Sequence, residues 1–74
     1  MINEIHKIWA RELKHDDFSD TDDFFDIGGH SLIMARIQLA IQEQFGVEVP
    51  MDQLFRKSTV AELAAHLEAL LPVS

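Results

Sequence analysis

This chain of 74 residues contains no cysteine and no tyrosine, and it has only three glycines and two prolines. Without cysteine, neither a disulfide framework nor a thiolate metal site can hold the fold together. Six lysines and arginines stand against 13 acidic residues, so the net charge is −7 and little is present to neutralise a phosphate backbone. We therefore expect no nucleic-acid partner.

Long apolar runs are missing as well. No stretch approaches roughly 18 consecutive apolar residues, and no basic segment followed by an apolar run lies near the start. We therefore expect no membrane span, no secretory signal and a location in the cytoplasm.

A chain of 74 residues is also too short for a deep catalytic cleft, which favours display or binding over catalysis. Stability has to come from packed helices, for which the 47% hydrophobic content is sufficient.

The spacing of apolar residues predicts an all-α bundle of three main helices and one short helix, with a long first loop. The first helix should run from about residue 2 to 14, with Trp9 in the core. Residues 15 to 30 then lose helical periodicity and carry six aspartates. Four large apolar side chains within this segment require burial, which predicts an ordered loop: Phe18, Phe24, Phe25 and Ile27. The pattern does not decide which of Phe24 and Phe25 points inward.

The remaining helices have clear boundary signals. The second should run from Ser31 to Phe45 and stop at Gly46. Pro50 fits the first turn of a brief helix through Phe55. The last helix begins with a capping box, Thr59-Val60-Ala61-Glu62, and keeps an apolar face until Pro72: Val60, Leu63, Ala64, Leu67, Leu70 and Leu71. No linker divides residues 1–74, so we expect a single domain and, as the simplest state, a monomer.

The second helix carries two apolar stripes. At 100° per residue, six residues form a broad face suited to the core: Ile33, Met34, Ile37, Ala40, Ile41 and Phe45. A second, narrower stripe consists of Leu32, Ala35 and Leu39, and Arg36 borders it. Complete burial of this helix would explain both stripes, but an exposed stripe used for partner contact is the interpretation we favour.

The most informative segment reads Asp-Asp-Phe-Phe-Asp-Ile-Gly-Gly-His-Ser-Leu, from Asp22 to Leu32. Gly28 and Gly29 can both adopt positive φ, which permits a sharp turn that presents the Ser31 hydroxyl. Unpaired N–H groups and the positive end of the dipole favour an anion in this first helical turn. A lone Gly-Gly-x-Ser would be interpreted more simply as a helix cap. A functional interpretation therefore depends on the longer match, from Asp22 to Leu32.

That longer match resembles the attachment site of nonribosomal peptide synthetase carrier domains, whose pattern is Asp-x-Phe-Phe-x-(Leu/Ile)-Gly-Gly-(His/Asp)-Ser-(Leu/Ile). Every fixed position of the pattern is present, and the predicted helices resemble the carrier-protein bundle over nearly the whole length. The resemblance implies that Ser31 bears a 4′-phosphopantetheine arm, attached from coenzyme A by a separate phosphopantetheinyl transferase. Gly28, Gly29 and His30 would complete the cofactor site, with His30 shaping recognition. The partner surface would contain four residues of the second helix: Leu32, Ala35, Arg36 and Leu39.

The family also implies a role and a set of partners. The thiol of the arm would hold aminoacyl or peptidyl groups as thioesters. An adenylation domain would load them, and condensation and thioesterase domains would unload them. By this resemblance the chain is a peptidyl carrier, also called a thiolation domain, and is not itself an enzyme.

Two alternatives remain. Acyl carriers of polyketide or fatty-acid synthesis typically have Asp before the serine and an acidic second helix, whereas residues 32 to 45 contain one acid, Glu43, and one base, Arg36. A helical protein-interaction domain without an arm would explain the stripe formed by Leu32, Ala35 and Leu39. It would leave the Gly-Gly-His-Ser sequence without a purpose.

Other chemical sites receive little support. A hydrolase nucleophile elbow needs a small residue where Ile33 stands, and His30 and Ser31 are adjacent residues whose side chains diverge on a helix. The six aspartates lack the ligand spacing of a calcium-binding EF-hand loop, so turn and capping roles are preferred. His6, His15 and His66 are scattered without ligand spacing, and we expect no metal site.

Overall fold

The computed structural model describes residues 1–71 and consists of four α-helices joined by ordered connections. The helices are α1 (Ile2–Leu13), α2 (Ser31–Phe45), α3 (Met51–Arg56) and α4 (Val60–Leu70). No strand occurs within residues 1–71, which confirms the predicted all-α class with three main helices and one short one. None of the helices in that range is long and apolar enough to cross a membrane.

The core lies where α1 packs against both α2 and α4, and it is filled by one apolar face from each helix. Trp9 is fully buried, as predicted, and its ring contacts that of Phe24 edge-on, with 5.6 Å between the ring centroids. The predicted core face of α2 is confirmed: Met34, Ile37 and Ile41 are buried, while Ile33, Ala40 and Phe45 pack at the edge of the core. In so small a domain, the burial of these side chains is the main source of stability.

Most helix ends follow their sequence signals. Gly46 ends α2 in the left-handed region, with φ of 70°, and its N–H donates to Gln42 O at 2.9 Å. At the start of α4, the Thr59 hydroxyl accepts from the Glu62 N–H and lies 3.1 Å from Glu62 Oε1. The Thr59 cap of the predicted capping box is therefore confirmed, whereas the Glu62 carboxylate bonds to the Thr59 hydroxyl rather than to the Thr59 backbone N–H.

Three details of the helix predictions need correction. Pro50 is the N-cap residue, one position before α3, and the helix extends to Arg56 rather than to Phe55. Leu70 was expected on the buried face but is exposed, because the last turn of α4 extends beyond the core. Pro72, the predicted end of the apolar face, lies outside the described residues.

The loop between α1 and α2 is ordered, as predicted, because it is bonded to the segment between α3 and α4 and to the first turn of α4. The Phe24 N–H donates to Ser58 O at 2.7 Å, and the Ala61 N–H donates to Asp20 O at 2.9 Å. Asp23 caps a short 3₁₀ helix, Phe24–Ile27, by accepting from the Phe25 N–H at 2.9 Å. Its other carboxylate oxygen accepts from the Ser58 hydroxyl at 2.8 Å. These bonds hold the loop end just before α2 in a fixed position.

Candidate functional site

The turn that precedes α2 depends on two glycines, each for a different reason. Gly28 has a φ of 102°, a left-handed conformation that side chains rarely adopt. Of the two glycines that could adopt positive φ, Gly29 does not. Instead, a Cβ atom on Gly29 would overlap the ring of Phe24, while its N–H donates to Phe24 O at 2.9 Å. The turn therefore closes directly over the Phe24 ring and leads the chain into α2.

Ser31 is the first residue of α2 and is exposed to solvent. The N-cap residue is His30, which has an extended backbone and makes no side-chain capping hydrogen bond. The first N–H groups of a helix lack intrahelical acceptors, so a hydroxyl at this position lies beside open donors and the positive end of the helix dipole. A negatively charged group attached to Ser31 would be stabilised there.

The two loop phenylalanines have different roles. Phe24 is fully buried beneath Gly29, whereas Phe25 is 45% exposed and stacks on Phe55 of α3 with 5.7 Å between the ring centroids. The buried ring anchors the loop to the core. The exposed stack joins the 3₁₀ helix to α3 on the surface, and no local periodicity in the sequence pointed to this pair.

The second apolar stripe of α2 lies on the surface. Leu32 is 63% exposed and Leu39 is 57% exposed, while Ala35 is partly buried between them. Arg36 is exposed beside the stripe. The stripe is therefore separate from the buried face of α2, and it begins one residue after Ser31.

The sequence profile described as "Phosphopantetheine attachment site" matches residues 3–67, which include the loop, the glycine turn and all of α2. The chain belongs to this family.

Sequences similar to this chain occur within much longer synthases. The chain is 37% identical over 62 residues to tyrocidine synthase 3 of Brevibacillus parabrevis, covering 84% of this chain and 1% of that protein. The chain thus spans about one hundredth of the length of that relative.

Two solved structures are similar as well. One is of the phosphopantetheine transferase Sfp with coenzyme A and a peptidyl carrier protein: the TM-score is 0.88 at 29% identity, over 92% of this chain and 88% of the matched chain. The other is McyG A-PCP complexed with phenylalanyl-adenylate: the TM-score is 0.85 at 30% identity, over 89% of this chain and 10% of that one.

The residues around Ser31 fit a phosphopantetheine group. Apart from its chain neighbours, no residue lies within 4 Å of a Cβ built on Gly28, and Ser31 is itself exposed, so space for the group is available here. The lack of a side-chain cap at His30 leaves the helix start available to the phosphodiester. When bound, the group supplies a thiol at the end of a flexible arm, to which an acyl group is linked as a thioester.

An ionic contact that no sequence pattern indicated joins His6 of α1 to two aspartates of the loop. His6 Nδ1 lies 2.6 Å from Asp20 Oδ1, and His6 Nε2 lies 2.5 Å from Asp16 Oδ1. Hydrogen bonds to these two carboxylates raise the pKa of His6, because both ring nitrogens donate only in the protonated form. The ring also stacks on Phe18, with centroids 4.6 Å apart. The contact therefore joins α1 to the start of the loop.

The other acidic and histidine side chains have structural partners or face solvent. Asp22 accepts from the Ser19 N–H at 2.9 Å, and His15 Nε2 donates to Ile27 O at 2.8 Å. The turn and capping roles predicted for the aspartates are confirmed for Asp22 and Asp23. Within residues 1–71, no group of three or more such side chains is arranged to hold a metal ion.

Proposed function

We propose that Ser31 is the attachment residue and that its arm holds aminoacyl or peptidyl groups as thioesters. The observation that carries this proposal is the position of Ser31: exposed, at the first residue of α2, directly after the turn at Gly28 and Gly29. Gly28 supplies the left-handed turn, Gly29 lets the turn approach Phe24, and His30 leaves the helix start open. Each of the three neighbours therefore contributes to presenting the serine.

A separate phosphopantetheinyl transferase installs the arm in this proposal. The Ser31 hydroxyl takes up the phosphopantetheinyl group of coenzyme A to form a phosphodiester, and adenosine 3′,5′-bisphosphate leaves. The solved complex of such a transferase with coenzyme A and a similar carrier supports this assignment. Ser31 is exposed on the surface and is therefore accessible to a second protein.

The partner enzymes supply all of the chemistry, and the carrier itself is not catalytic. An adenylation domain activates an amino acid with ATP and transfers it to the thiol of the arm, and condensation and thioesterase domains remove the product. The similarity to a tyrocidine synthase and to an adenylation–carrier structure supports these partners. We place the carrier in the cytoplasm, where coenzyme A and ATP are available, and expect it to act as a monomer.

The partner surface we propose consists of Leu32, Ala35 and Leu39, with Arg36 at its edge. Its two leucines are more than half exposed to water. Covering them with a partner removes this apolar surface from water, which favours binding. α2 contains only one acidic residue, Glu43, so a basic partner surface has little to bind. Docking should therefore weaken only modestly as salt is raised, since apolar contacts are not screened.

The same near absence of acids in α2 favours an aminoacyl or peptidyl cargo over the cargo of a polyketide or fatty-acid acyl carrier. The helical interaction domain without an arm is disfavoured, because the chain belongs to the phosphopantetheine attachment family.

Intact mass before and after incubation with coenzyme A and a broad-specificity transferase tests the attachment residue. The wild-type protein should gain the mass of one phosphopantetheinyl group, and Ser31→Ala should gain none while remaining helical. Ser19→Ala is the matched control, because Ser19 is an exposed serine in the loop, and it should be modified like the wild type. Modification of the Ser31→Ala protein would contradict the proposal.

A further inference from the structure

A cavity of about 300 Å³ lies between the C-terminal end of α1 and the first two turns of α2. Its volume is at the lower end of the roughly 300–1,000 Å³ that small-molecule sites occupy. Three apolar side chains line it, Leu13, Leu32 and Ile33, so part of a ligand could be covered there. His30 also lines the cavity, which means that the residues on both sides of Ser31 in the sequence face it.

The cavity has a positive rim in an otherwise acidic protein. Lys14 and Arg36 both line it, and within residues 1–71 no carboxylate forms an ion pair with either of them. Glu12 is the one acidic lining residue, and its carboxylate is bound to the side chain of Arg11 at 3.3 Å. Against a net charge of −7 for the chain, these two cations at one cavity favour an anionic ligand with an apolar portion.

We propose that this cavity is the resting site of the phosphopantetheine arm, with the phosphodiester beside Arg36 and Lys14 and the dimethyl-bearing segment against Leu13, Leu32 and Ile33. The inference rests on the proposed function, since it requires the arm to be attached at Ser31. The arm combines an anion with an adjacent branched apolar segment, as the lining requires. Tethering also gives the arm a high effective concentration, on the order of millimolar, so weak contacts are sufficient to populate the site.

Leu32 connects the resting site of the arm to the proposed partner surface. The same side chain lines the cavity and begins the exposed stripe of Leu32, Ala35 and Leu39. A partner that covers Leu32 competes with the arm for this contact. Docking on the stripe therefore releases the arm toward the partner, and an undocked carrier keeps the arm near its own surface.

The test places a nitroxide on the thiol of the arm and measures the paramagnetic broadening of backbone amide signals in the intact protein. We expect the strongest broadening at residues 12–14 and 32–36, with much weaker broadening at residues 51–56 of α3. Arg36→Gln should lower the broadening at residues 12–14 roughly twofold or more, as expected for loss of an exposed ionic contact. Arg56→Gln is the matched control: it makes the same change of charge at an exposed site in α3 and should leave the pattern unchanged.

The intact mass is recorded first, so that failure of arm attachment can be distinguished from failure of the proposed resting site. Absence of the arm after transferase treatment would overturn the proposed function and the resting site together. An attached arm with broadening spread evenly over the surface, or concentrated on α3, would overturn the resting site alone. Equal effects of Arg36→Gln and Arg56→Gln would also overturn it.

Discussion

The ring of Phe24 occupies the space that a side chain on Gly29 would need, because a Cβ atom at Gly29 would overlap three carbons of that ring. The Gly29 N–H donates to the Phe24 carbonyl at 2.9 Å, so backbone and side chain hold the same pair of residues together. Since Gly29 lies two residues before Ser31, the packing of Phe24 in the core determines where Ser31 lies on the surface.

Gly29→Ala should therefore destabilise the protein by about 1–3 kcal/mol, the usual cost of forcing an extra methyl group into a packed site. The cost should fall in a Phe24→Leu background, because the smaller side chain leaves room for the methyl group. Gly46→Ala is the control, as its Cβ would meet nothing within 4 Å and its cost should not depend on Phe24. Urea unfolding of the single and double variants measures this coupling, and strictly additive effects of Gly29→Ala and Phe24→Leu would contradict the contact.

Phe24 and Phe25 should differ strongly in their contribution to stability. Phe24→Ala removes a fully buried ring and should cost about 3–5 kcal/mol. Phe25→Ala removes a half-exposed ring that stacks on Phe55, and should cost about 0.5–1.5 kcal/mol. Thermal and urea unfolding of both variants give the comparison. Equal melting temperatures for Phe24→Ala and the wild type would show that the loop is not anchored in this way.

An aspartate placed on either apolar face of α2 tests whether that face serves partner docking or folding. Leu39→Asp should leave the bundle folded, since the carboxylate stays in water, but should weaken partner binding by about 2 kcal/mol or more if Leu39 is central to the interface. Ile37→Asp places the same charge in the core and should unfold the protein. Circular dichroism and titration with an adenylation partner provide the two readouts. Similar loss of helicity in both variants would mean that the stripe belongs to the core.

The contact of His6 with Asp16 and Asp20 should make stability depend on pH. The pKa of His6 is raised above 6.5 in the folded protein, so the folded state binds the proton more tightly than the unfolded chain. This stabilisation is complete below the unfolded pKa of 6.5 and is lost as pH rises through the raised folded pKa.

Melting temperature measured from about pH 6 to about pH 8.5 should therefore decrease more steeply for the wild type than for His6→Gln. The variant keeps the other three histidines and serves as the control for their titration. Parallel curves for the two proteins would show that His6 does not bind its proton more tightly on folding.

Local patterns in the sequence were sufficient to predict most of the architecture. The boundaries of α2 follow from the apolar spacing between Ser31 and Phe45 and from Gly46. The exposure of Leu32 and Leu39 could also be predicted, because helical geometry alone separates their stripe from the buried face of Ile37 and Ile41.

Contacts between distant residues could not be predicted in the same way. The choice of Phe24 over Phe25 for burial, and the overlap that requires Gly29, depend on how the loop lies across the core. Asp16 and Asp20 meet His6 only after the loop folds back on α1, so their spacing in the sequence carried no signal. The capping role of Asp23 had a local signal, because this aspartate directly precedes two aromatic residues. The hydrogen bond between Asp23 and Ser58 had none, since the two residues are 35 positions apart.

Loading of the armed carrier tests the central claim most directly. The phosphopantetheinylated protein would be offered amino acids with ATP and adenylation enzymes, in parallel with malonyl-coenzyme A and a malonyl transferase, and the thioester products would be identified by mass. We predict aminoacylation of the wild type, none on Ser31→Ala, and little malonylation. Efficient malonylation together with no aminoacylation by any adenylation partner would contradict the account and assign the chain to the acyl carriers of polyketide or fatty-acid synthesis.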